Sequence, residues 1–322
     1  MAGRKSPYIP QDPEERAQRI RELRAIGLFA LENGCGGLSM WQYFKELRGL
    51  AVAGMYPERL EARIAICLAG EIRPAALSRS LSELRQIRKD AGELSRFEAF
   101  EQEFLSRMKG RPFTAHGYDR KTFDQLDHGA IWSQVAHHVS LLNDWGYQAF
   151  LNSGTLLGVV RDGQLIKHDD DVDLAVILNS DTLEGLAKEW SDLIDRLRAA
   201  DMFDEESFDD PKIIKLRRSC SVQIDLFPGW VNDGKVFVYP HTCGELSEQD
   251  VLPLGACAVT GNPVPAEPEK MLVLNYGKDW REPNPYFAFP WKQAQRRFAA
   301  FREHIERELV HRKQDSFAIA AE

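Results

Sequence analysis

The stretch from Asn152 to Leu178 constrains the fold more than any other part of this sequence. It begins with a turn of small residues, Ser153-Gly154-Thr155, and continues into a short apolar helix that ends near Arg161. After a loop it carries a run of aspartates, and the apolar run Leu174 to Leu178 follows at once. A turn and helix followed by a buried-type strand predict an α+β fold, with the acidic run at one end of a strand.

The acidic run comprises Asp169, Asp170, Asp171 and Asp173. Carboxylates held this close repel one another, so a folded site that keeps them together needs a cation. Side chains alternate along a strand, so Asp171 and Asp173 should share a face while Val172 points into the core. Paired carboxylates suit Mg²⁺, which binds through one or two of them plus substrate phosphates. The alternative is a solvated acidic turn, disfavoured because a buried-type strand follows directly.

A further aspartate, Asp225, lies within the apolar pattern SVQIDLF, between Ile224 and Leu226. A carboxylate in the middle of a strand is costly unless it is paired, hydrogen-bonded or bound to metal. The preceding pattern KIIKLRR (212–218) predicts a neighbouring strand, joined through a tight turn near Ser219-Cys220. We therefore expect Asp225 to lie beside Asp171 and Asp173 in one sheet, as metal ligands and catalytic residues.

Phosphate recognition is predicted at the Ser153-Gly154-Thr155 turn, because free N–H groups at a helix N-terminus favour anions. Arg161, Lys215 and Arg217 are predicted to add positive charge for a leaving diphosphate, with Arg218 as a further basic side chain on the same strand. The alternative for these cations is ordinary surface charge.

The remainder of the sequence divides into three predicted segments. Residues 1–110 form an all-helical N-terminal region, expected to be a packing or docking module or to recognise an acceptor. Residues 111–290 form the catalytic domain, and residues 291–322 a C-terminal helix and tail. Within the middle segment we expect one long helix from about Asp124 to Trp145, a hairpin at Asn232-Asp233-Gly234, and loops from Pro240 to Pro268. Adjacent His137 and His138 point about 100° apart on the long helix and are interpreted as structural.

Composition narrows the function classes. The chain has 322 residues and a net charge of −8, which disfavours a nucleic-acid binder. No apolar run is long enough to span a bilayer, and the start lacks a signal-peptide core, so we expect a cytoplasmic protein with at most a surface contact at the inner face of a membrane. The five cysteines show no CxxC spacing and are expected to be reduced thiols. A zinc site from Cys220, His241, Cys243 and Cys257 is the open alternative.

Three stretches together carry a family resemblance. SGTLLGVVRDGQLIKHDDDVDLAV resembles the signature of the LicD family of phosphotransferases, which are related to fukutin and fukutin-related protein. VQIDLFP resembles the strand with the family's third carboxylate, and PAEPEKMLVLNYGKDWREP resembles its closing Tyr-Gly-x-x-Trp element. The resemblance covers about residues 120 to 290 and leaves the helical N-terminal region outside.

The resemblance implies a nucleotidyltransferase-like mixed β-sheet flanked by helices. It also implies Mg²⁺- or Mn²⁺-dependent transfer of a phospho-alcohol, such as phosphocholine or glycerol phosphate, from a CDP-activated donor to a glycan hydroxyl. The glycan would be a cell-surface or capsular polysaccharide, free or lipid-linked. Asp171 and Asp173 match the metal pair, Asp225 the third carboxylate, and Gly154 and Thr155 the phosphate-facing turn. Two alternatives stay open: transfer of a nucleoside monophosphate to a small molecule or protein, and non-catalytic glycan binding.

Overall fold

The computed structural model describes residues 9–114, 116–218 and 222–319. The chain forms two compact units, one of Met1–Lys121 with Asn284–Phe289 and the other of Thr122–Pro283 with Pro290–Glu322. The division at residues 110 and 290 stays a prediction, because compactness alone does not define a folding domain. No helix in the described parts of the chain is both long and apolar enough to cross a bilayer.

The first unit is built from helices, as the sequence predicts. Asp12 caps the first helix by accepting hydrogen bonds from the N–H groups of Glu14 and Glu15, and Ser39 caps the second. The helices are α1 (Pro13–Asn33), α2 (Met40–Leu47), α3 (Tyr56–Ala69), α4 (Pro74–Asp90) and α5 (Leu94–Met108). Helix α2 ends at Leu47, shortly before Gly49, which is a poor helix former.

Close helix packing and buried ion pairs organise this unit. Gly27 of α1 lies so near α3 that an added Cβ would meet the Ala65 backbone at 2.8 Å, which lets the two helices approach closely. Arg88 is almost fully buried and binds the carboxylates of Glu58, Glu61 and Glu93. A buried guanidinium is tolerated only with such partners.

The second unit contains the mixed sheet that the sequence predicts, flanked by helices. The strands of the main sheet run in the order β1-β2-β4-β5-β6, and β3 also pairs with β4. Among the pairings of the described strands in this sheet, only β2–β4 is parallel. The strands are β1 (Gln148–Leu151), β2 (Asp171–Ile177), β3 (Ile214–Leu216), β4 (Gln223–Asn232), β5 (Lys235–Val238), β6 (Thr242–Ser247) and the separate hairpin β7 (Gly255–Ala256) with β8 (Pro263–Val264).

Helices cover this sheet and bury its apolar side chains. Trp190 of α8 is fully buried, and its indole N–H donates to the carbonyl of Pro211. Arg312 of the last helix binds Asp192 and Asp195 of α8. The helices are α6 (His128–Asp144), α7 (Ser153–Leu157), α8 (Leu183–Ala199), α9 (Glu248–Val251), α10 (Pro268–Tyr276), α11 (Trp291–Arg297) and α12 (Ala299–Ile319).

Several local predictions are confirmed and others are wrong. The hairpin at Asn232-Asp233-Gly234 joins β4 to β5 as predicted. The predicted helix from Asp124 is broken, because Asp127 caps α6 by accepting the Gly129 N–H and a separate 3₁₀ turn precedes it. The segment 240–268, predicted to be loops, contains β6, α9 and the β7–β8 hairpin. The predicted last helix is two helices, α11 and α12, that meet at Phe298. The predicted turn at Ser219-Cys220 lies outside the described residues.

Candidate active site

Strand pairing brings three charged side chains into one row across the sheet. In the parallel β2–β4 pair Asp173 lies opposite Asp225, and in the antiparallel β3–β4 pair Lys215 lies opposite Asp225. Directly paired residues point to the same face of a sheet. Asp173, Asp225 and Lys215 therefore form a row on β2, β4 and β3, with Asp171 two positions before Asp173 on the same face.

The start of α7 and its N-cap residue Asn152 hold Asp173 by three contacts. The N–H of Asn152 donates to the Asp173 carbonyl at 3.0 Å, and the Asp173 N–H donates to the Thr155 hydroxyl oxygen at 2.9 Å. The Gly154 N–H donates to Oδ2 of Asp173 at 3.3 Å. The turn and the acidic strand are thus one structural unit, and the residues predicted to face phosphate contact Asp173. Their phosphate-binding role stays a prediction.

Gly154 also lies against a fourth carboxylate, Asp169. A Cβ at position 154 would lie 2.8 Å from Oδ2 of Asp169 and 3.9 Å from Oδ2 of Asp173. Asp169 is fixed through its backbone, since its carbonyl accepts the N–H of Phe123, and its Oδ1 accepts the N–H of Asp170 at 3.0 Å. A side chain at position 154 would therefore displace the Asp169 carboxylate.

The carboxylates of this cluster perturb one another. Burial and the charge of Asp171 raise the pKa of Asp169, Asp173 and Asp225 well above the usual range. Lys215 and Arg218 act in the opposite direction on the Asp225 pKa. Because ionisation of these carboxyl groups is unfavourable, a positive charge added to the site would stabilise their charged form.

The oxygen atoms present fit a hard divalent cation. Asp171 and Asp225 are buried, with exposed fractions of 8% and 7%. Oδ1 of Asp225 is buried and accepts no hydrogen bond from the described residues, although buried carboxylate oxygens normally have a partner. Clustered carboxylate oxygens are the ligand type that Mg²⁺ and Mn²⁺ take. Asp171, Asp173 and Asp225 stay the predicted metal ligands.

Ser153 and His241 contact each other at one wall of the site, a contact that the sequence analysis did not predict. Ser153 has a positive φ of +44°, a conformation unfavourable for a non-glycine residue. Its Oγ lies 2.9 Å from Nε2 of His241, 88 positions later in the chain. Burial lowers the His241 pKa to about 3, so this imidazole is neutral. No local pattern links the two residues, since only the fold brings β6 to the start of α7.

Tyr276, at the end of α10, lies near His241. Their ring centroids are 6.4 Å apart. Burial, followed by the charges of Asp173 and Asp169, raises the Tyr276 pKa well above its usual value, and Arg161 acts against this. The Tyr-Gly-x-x-Trp element therefore contributes its tyrosine to the surroundings of the carboxylates.

The basic side chains predicted for the site differ in their partners and in their distance from the acidic row. Lys215 faces Asp225 in the strand register and also binds Asp209 at 3.2 Å. Arg161 is mostly buried and binds Asp162, and its positive charge acts to lower the Tyr276 pKa. Arg217 is half-exposed and binds Asp201 at 2.6 Å, so the structure does not bring it into the acidic row. Arg218, whose Nε donates to the Gln223 side chain, lies nearer Asp225.

The described members of the alternative zinc set, His241, Cys243 and Cys257, form no metal cluster with one another. His241 and Cys243 are neighbours, but Cys243 Sγ is directed to the Arg297 carbonyl at 3.7 Å, and these residues form no cluster with Cys257. Cys220 lies outside the described residues. His138 is buried, its pKa is lowered to about 4 by burial, and it pairs with Gln134 on the preceding turn. The interpretation of the paired histidines as structural agrees with this environment.

Comparison with known proteins identifies the domain that carries this site. No curated protein matches the chain. The family model described as the LicD/FKTN/FKRP nucleotidyltransferase domain matches residues 146–267. The match begins just before β1 and includes the turn, the acidic strand and the strand with Asp225. Sequence, fold and comparison agree: the second unit contains a nucleotidyltransferase domain of the LicD/FKTN/FKRP family.

Proposed function

We propose that this protein is a metal-dependent phosphotransferase that moves a phospho-alcohol from a CDP-activated donor to a hydroxyl group of a glycan. The row of Asp173 and Asp225 on adjacent parallel strands, with Asp171 beside it, carries the proposal. Membership of the LicD/FKTN/FKRP domain family supports a transferase that acts in glycan modification.

The proposed reaction replaces the phosphoanhydride bond of the donor with a phosphoester bond to the acceptor. The acceptor hydroxyl oxygen forms a bond to the phosphorus that carries the alcohol, and the bond from that phosphorus to the CMP oxygen breaks. CMP leaves with the bonding electron pair, and the hydroxyl proton passes to a carboxylate of the row. Such transfers depend on positioning and on stabilisation of charge rather than on covalent catalysis by the protein.

The residues of the site have separate tasks in this proposal. Asp171, Asp173 and Asp225 would hold Mg²⁺ or Mn²⁺, which when bound would neutralise charge on the donor phosphates. The Ser153-Gly154-Thr155 turn fixes Asp173 and, in the proposal, also faces the donor phosphates. Arg161 and Lys215 supply positive charge beside the leaving CMP. Arg217 is left out of this set because it is bound to Asp201.

The substrate classes follow from the proposed reaction. The donor is a CDP-linked alcohol such as CDP-choline, CDP-glycerol or CDP-ribitol, and the acceptor is a cell-surface or capsular glycan, free or attached to a lipid carrier. We propose that the enzyme works in the cytoplasm, where CDP-linked donors are made, and reaches lipid-linked acceptors at the inner face of the membrane.

A second candidate is nucleotidyl transfer, in which a nucleoside monophosphate passes to a small molecule or protein and pyrophosphate leaves. The description of the matching family as a nucleotidyltransferase domain favours it. The two reactions share a fold, and fold does not fix reaction. The leaving product separates them.

The deciding experiment is ³¹P NMR of the purified protein with Mg²⁺ and, in turn, CDP-choline, CDP-glycerol, CDP-ribitol, CTP and ATP. Slow hydrolysis of one CDP-alcohol to CMP, abolished by EDTA and by Asp171→Asn, is the expected result. Asp181→Asn, an exposed aspartate outside the cluster, is the matched control and should leave hydrolysis unchanged. Pyrophosphate from CTP or ATP with the CDP-alcohols intact would instead establish nucleotidyl transfer.

A further inference from the structure

The first unit carries a group of cations that form no ion pair with a carboxylate among the described residues: Lys45, Arg48, Arg59, Arg63 and Arg73. Some other basic residues of this unit form ion pairs. Arg19 binds Glu46 and Arg24 binds Glu61. In a chain of net charge −8, unpaired cations gathered in one place are unusual.

Three of these cations line one groove between α2 and the start of α3. Arg48, Arg59 and Arg63 surround it together with Phe44 and Tyr56, and Leu47 and Leu60 form its apolar part. The edge includes one acidic contact, where the Tyr56 hydroxyl donates to Glu83. The groove is therefore cationic with an aromatic lining.

The guanidinium groups of Arg59 and Arg63 in the groove, and that of Arg73 outside it, lie over aromatic rings. The central carbon of Arg63 lies 5.2 Å, and that of Arg73 5.9 Å, from the Phe44 ring centroid. That of Arg59 lies 5.0 Å from the Tyr56 ring centroid. Stacking holds a guanidinium in place while its N–H edge stays available for an oxyanion.

Apolar side chains are exposed beside these cations. Trp41 is 43% exposed and Leu38, just before α2, is 41% exposed. Trp41 and Lys45 of α2, and Arg48 directly after its end, are spaced so that they lie on one face. Trp41 stacks on Phe44 with ring centroids 5.5 Å apart, and the Lys45 ammonium lies 5.2 Å from the Trp41 ring.

We propose that this basic-aromatic face, formed by Leu38, Trp41, Lys45, Arg48, Tyr56 and Arg59, docks the protein onto the surface of an anionic phospholipid bilayer. Lipid phosphates complement the unpaired cations. The exposed tryptophan and leucine favour a bilayer over a dissolved anion, because only an interface also removes apolar side chains from water. Net acidity argues against a nucleic acid. Docking is separate from the acidic row and does not depend on the proposed reaction.

The test is co-sedimentation of the full chain with vesicles of phosphatidylcholine alone or with phosphatidylglycerol added. We expect binding only to the anionic vesicles, weakening as salt rises to about 0.15 M. Each lysine or arginine near a bilayer contributes a factor of about five in partitioning, so Arg48→Gln with Arg59→Gln should lower it roughly thirtyfold. Trp41→Ala should remove the part of the binding that persists at high salt.

The matched control is Arg21→Gln with Arg79→Gln, which changes the net charge equally at exposed arginines on α1 and α4 that do not line the groove. This control should bind anionic vesicles like the wild type, and circular dichroism should show all variants folded. Equal binding to both vesicle types, an equal loss in the control, or displacement from vesicles by millimolar glycerol phosphate would each overturn the proposal, the last by indicating a site for a dissolved anion.

Discussion

The hydroxyl group of Thr155 provides the sharpest perturbation of the site, because it touches the acidic strand without belonging to it. Thr155 is 2% exposed, and its Oγ1 accepts the Asp173 N–H at 2.9 Å. Thr155→Val keeps the shape of the side chain and removes the acceptor. The Asp173 N–H is then buried without a partner, and the carboxylate loses one of the contacts that fix it.

Thr155→Val should lower both the stability of the fold and the rate of the reaction. An unpaired buried N–H costs about 1–3 kcal/mol of folding free energy. For a domain of this size each kcal/mol lowers Tm by about 2–4 °C, so thermal unfolding followed by circular dichroism should show a fall of roughly 5 °C. Misplacement of Asp173 by even 1 Å can cost about 100-fold in rate, and CMP release should fall by at least tenfold.

Thr155→Ser is the control, because it keeps the hydroxyl oxygen and deletes only a methyl group. It should lose about 1 kcal/mol of folding free energy while keeping most of the activity. If the valine and serine variants lose rate equally, the hydrogen bond to Asp173 does not position the carboxylate, and this reasoning is refuted.

Three further predictions concern the cluster itself. Gly154→Ala places a Cβ 2.8 Å from Oδ2 of Asp169, so Mg²⁺ affinity measured by calorimetry should fall at least tenfold. Tm should change little, because alanine is about 1 kcal/mol more favourable than glycine in a helix. Unchanged Mg²⁺ affinity would contradict the close packing of Gly154 against Asp169. Asp225→Asn should abolish turnover and leave the metal-free protein at least as stable as the wild type, because it removes a buried, repelled charge; a loss of several degrees in Tm would assign Asp225 a structural role instead. The raised pKa values of Asp169, Asp173 and Asp225 mean that their contribution to stability is full below the unfolded-state pKa of about 3.9 and is lost as pH rises through the folded-state values. Metal-free Tm should therefore decrease from mildly acidic to neutral pH, and the increase in Tm on adding Mg²⁺ should be larger near about pH 8 than near about pH 5; a Mg²⁺ effect independent of pH would contradict the assignment.

The parts of the site that follow from strand periodicity could be predicted from the sequence. Period two places Asp171 and Asp173 on one face, and the apolar run around Asp225 marks a strand that has to accommodate a carboxylate. The α+β fold and the family domain are confirmed. The sequence predicted that Asp225 lies beside the Asp171/Asp173 pair, but not that Asp225 pairs directly with Asp173. Strand register is set by the packing of both strands rather than by either pattern alone.

The parts that depend on chain reversals could not be predicted. Asp169 precedes β2, so strand alternation says nothing about its direction, and only the turn places it against Gly154. His241 reaches Ser153 through the β5–β6 connection, which the sequence analysis assigned to a loop-rich segment. Arg217 is two positions after Lys215, so strand periodicity would place both side chains on one face. In the structure Arg217 lies beyond the end of β3 and binds Asp201.

The central claim is that Asp171, Asp173 and Asp225 hold one divalent ion. The most direct measurement is anomalous diffraction from crystals of the protein grown with Mn²⁺. One anomalous peak at about 2.1 Å from carboxylate oxygens of Asp173 and Asp225, absent in crystals of Asp173→Asn, is the predicted result. A wild-type crystal that contains Mn²⁺ but shows no peak among these carboxylates would contradict the account.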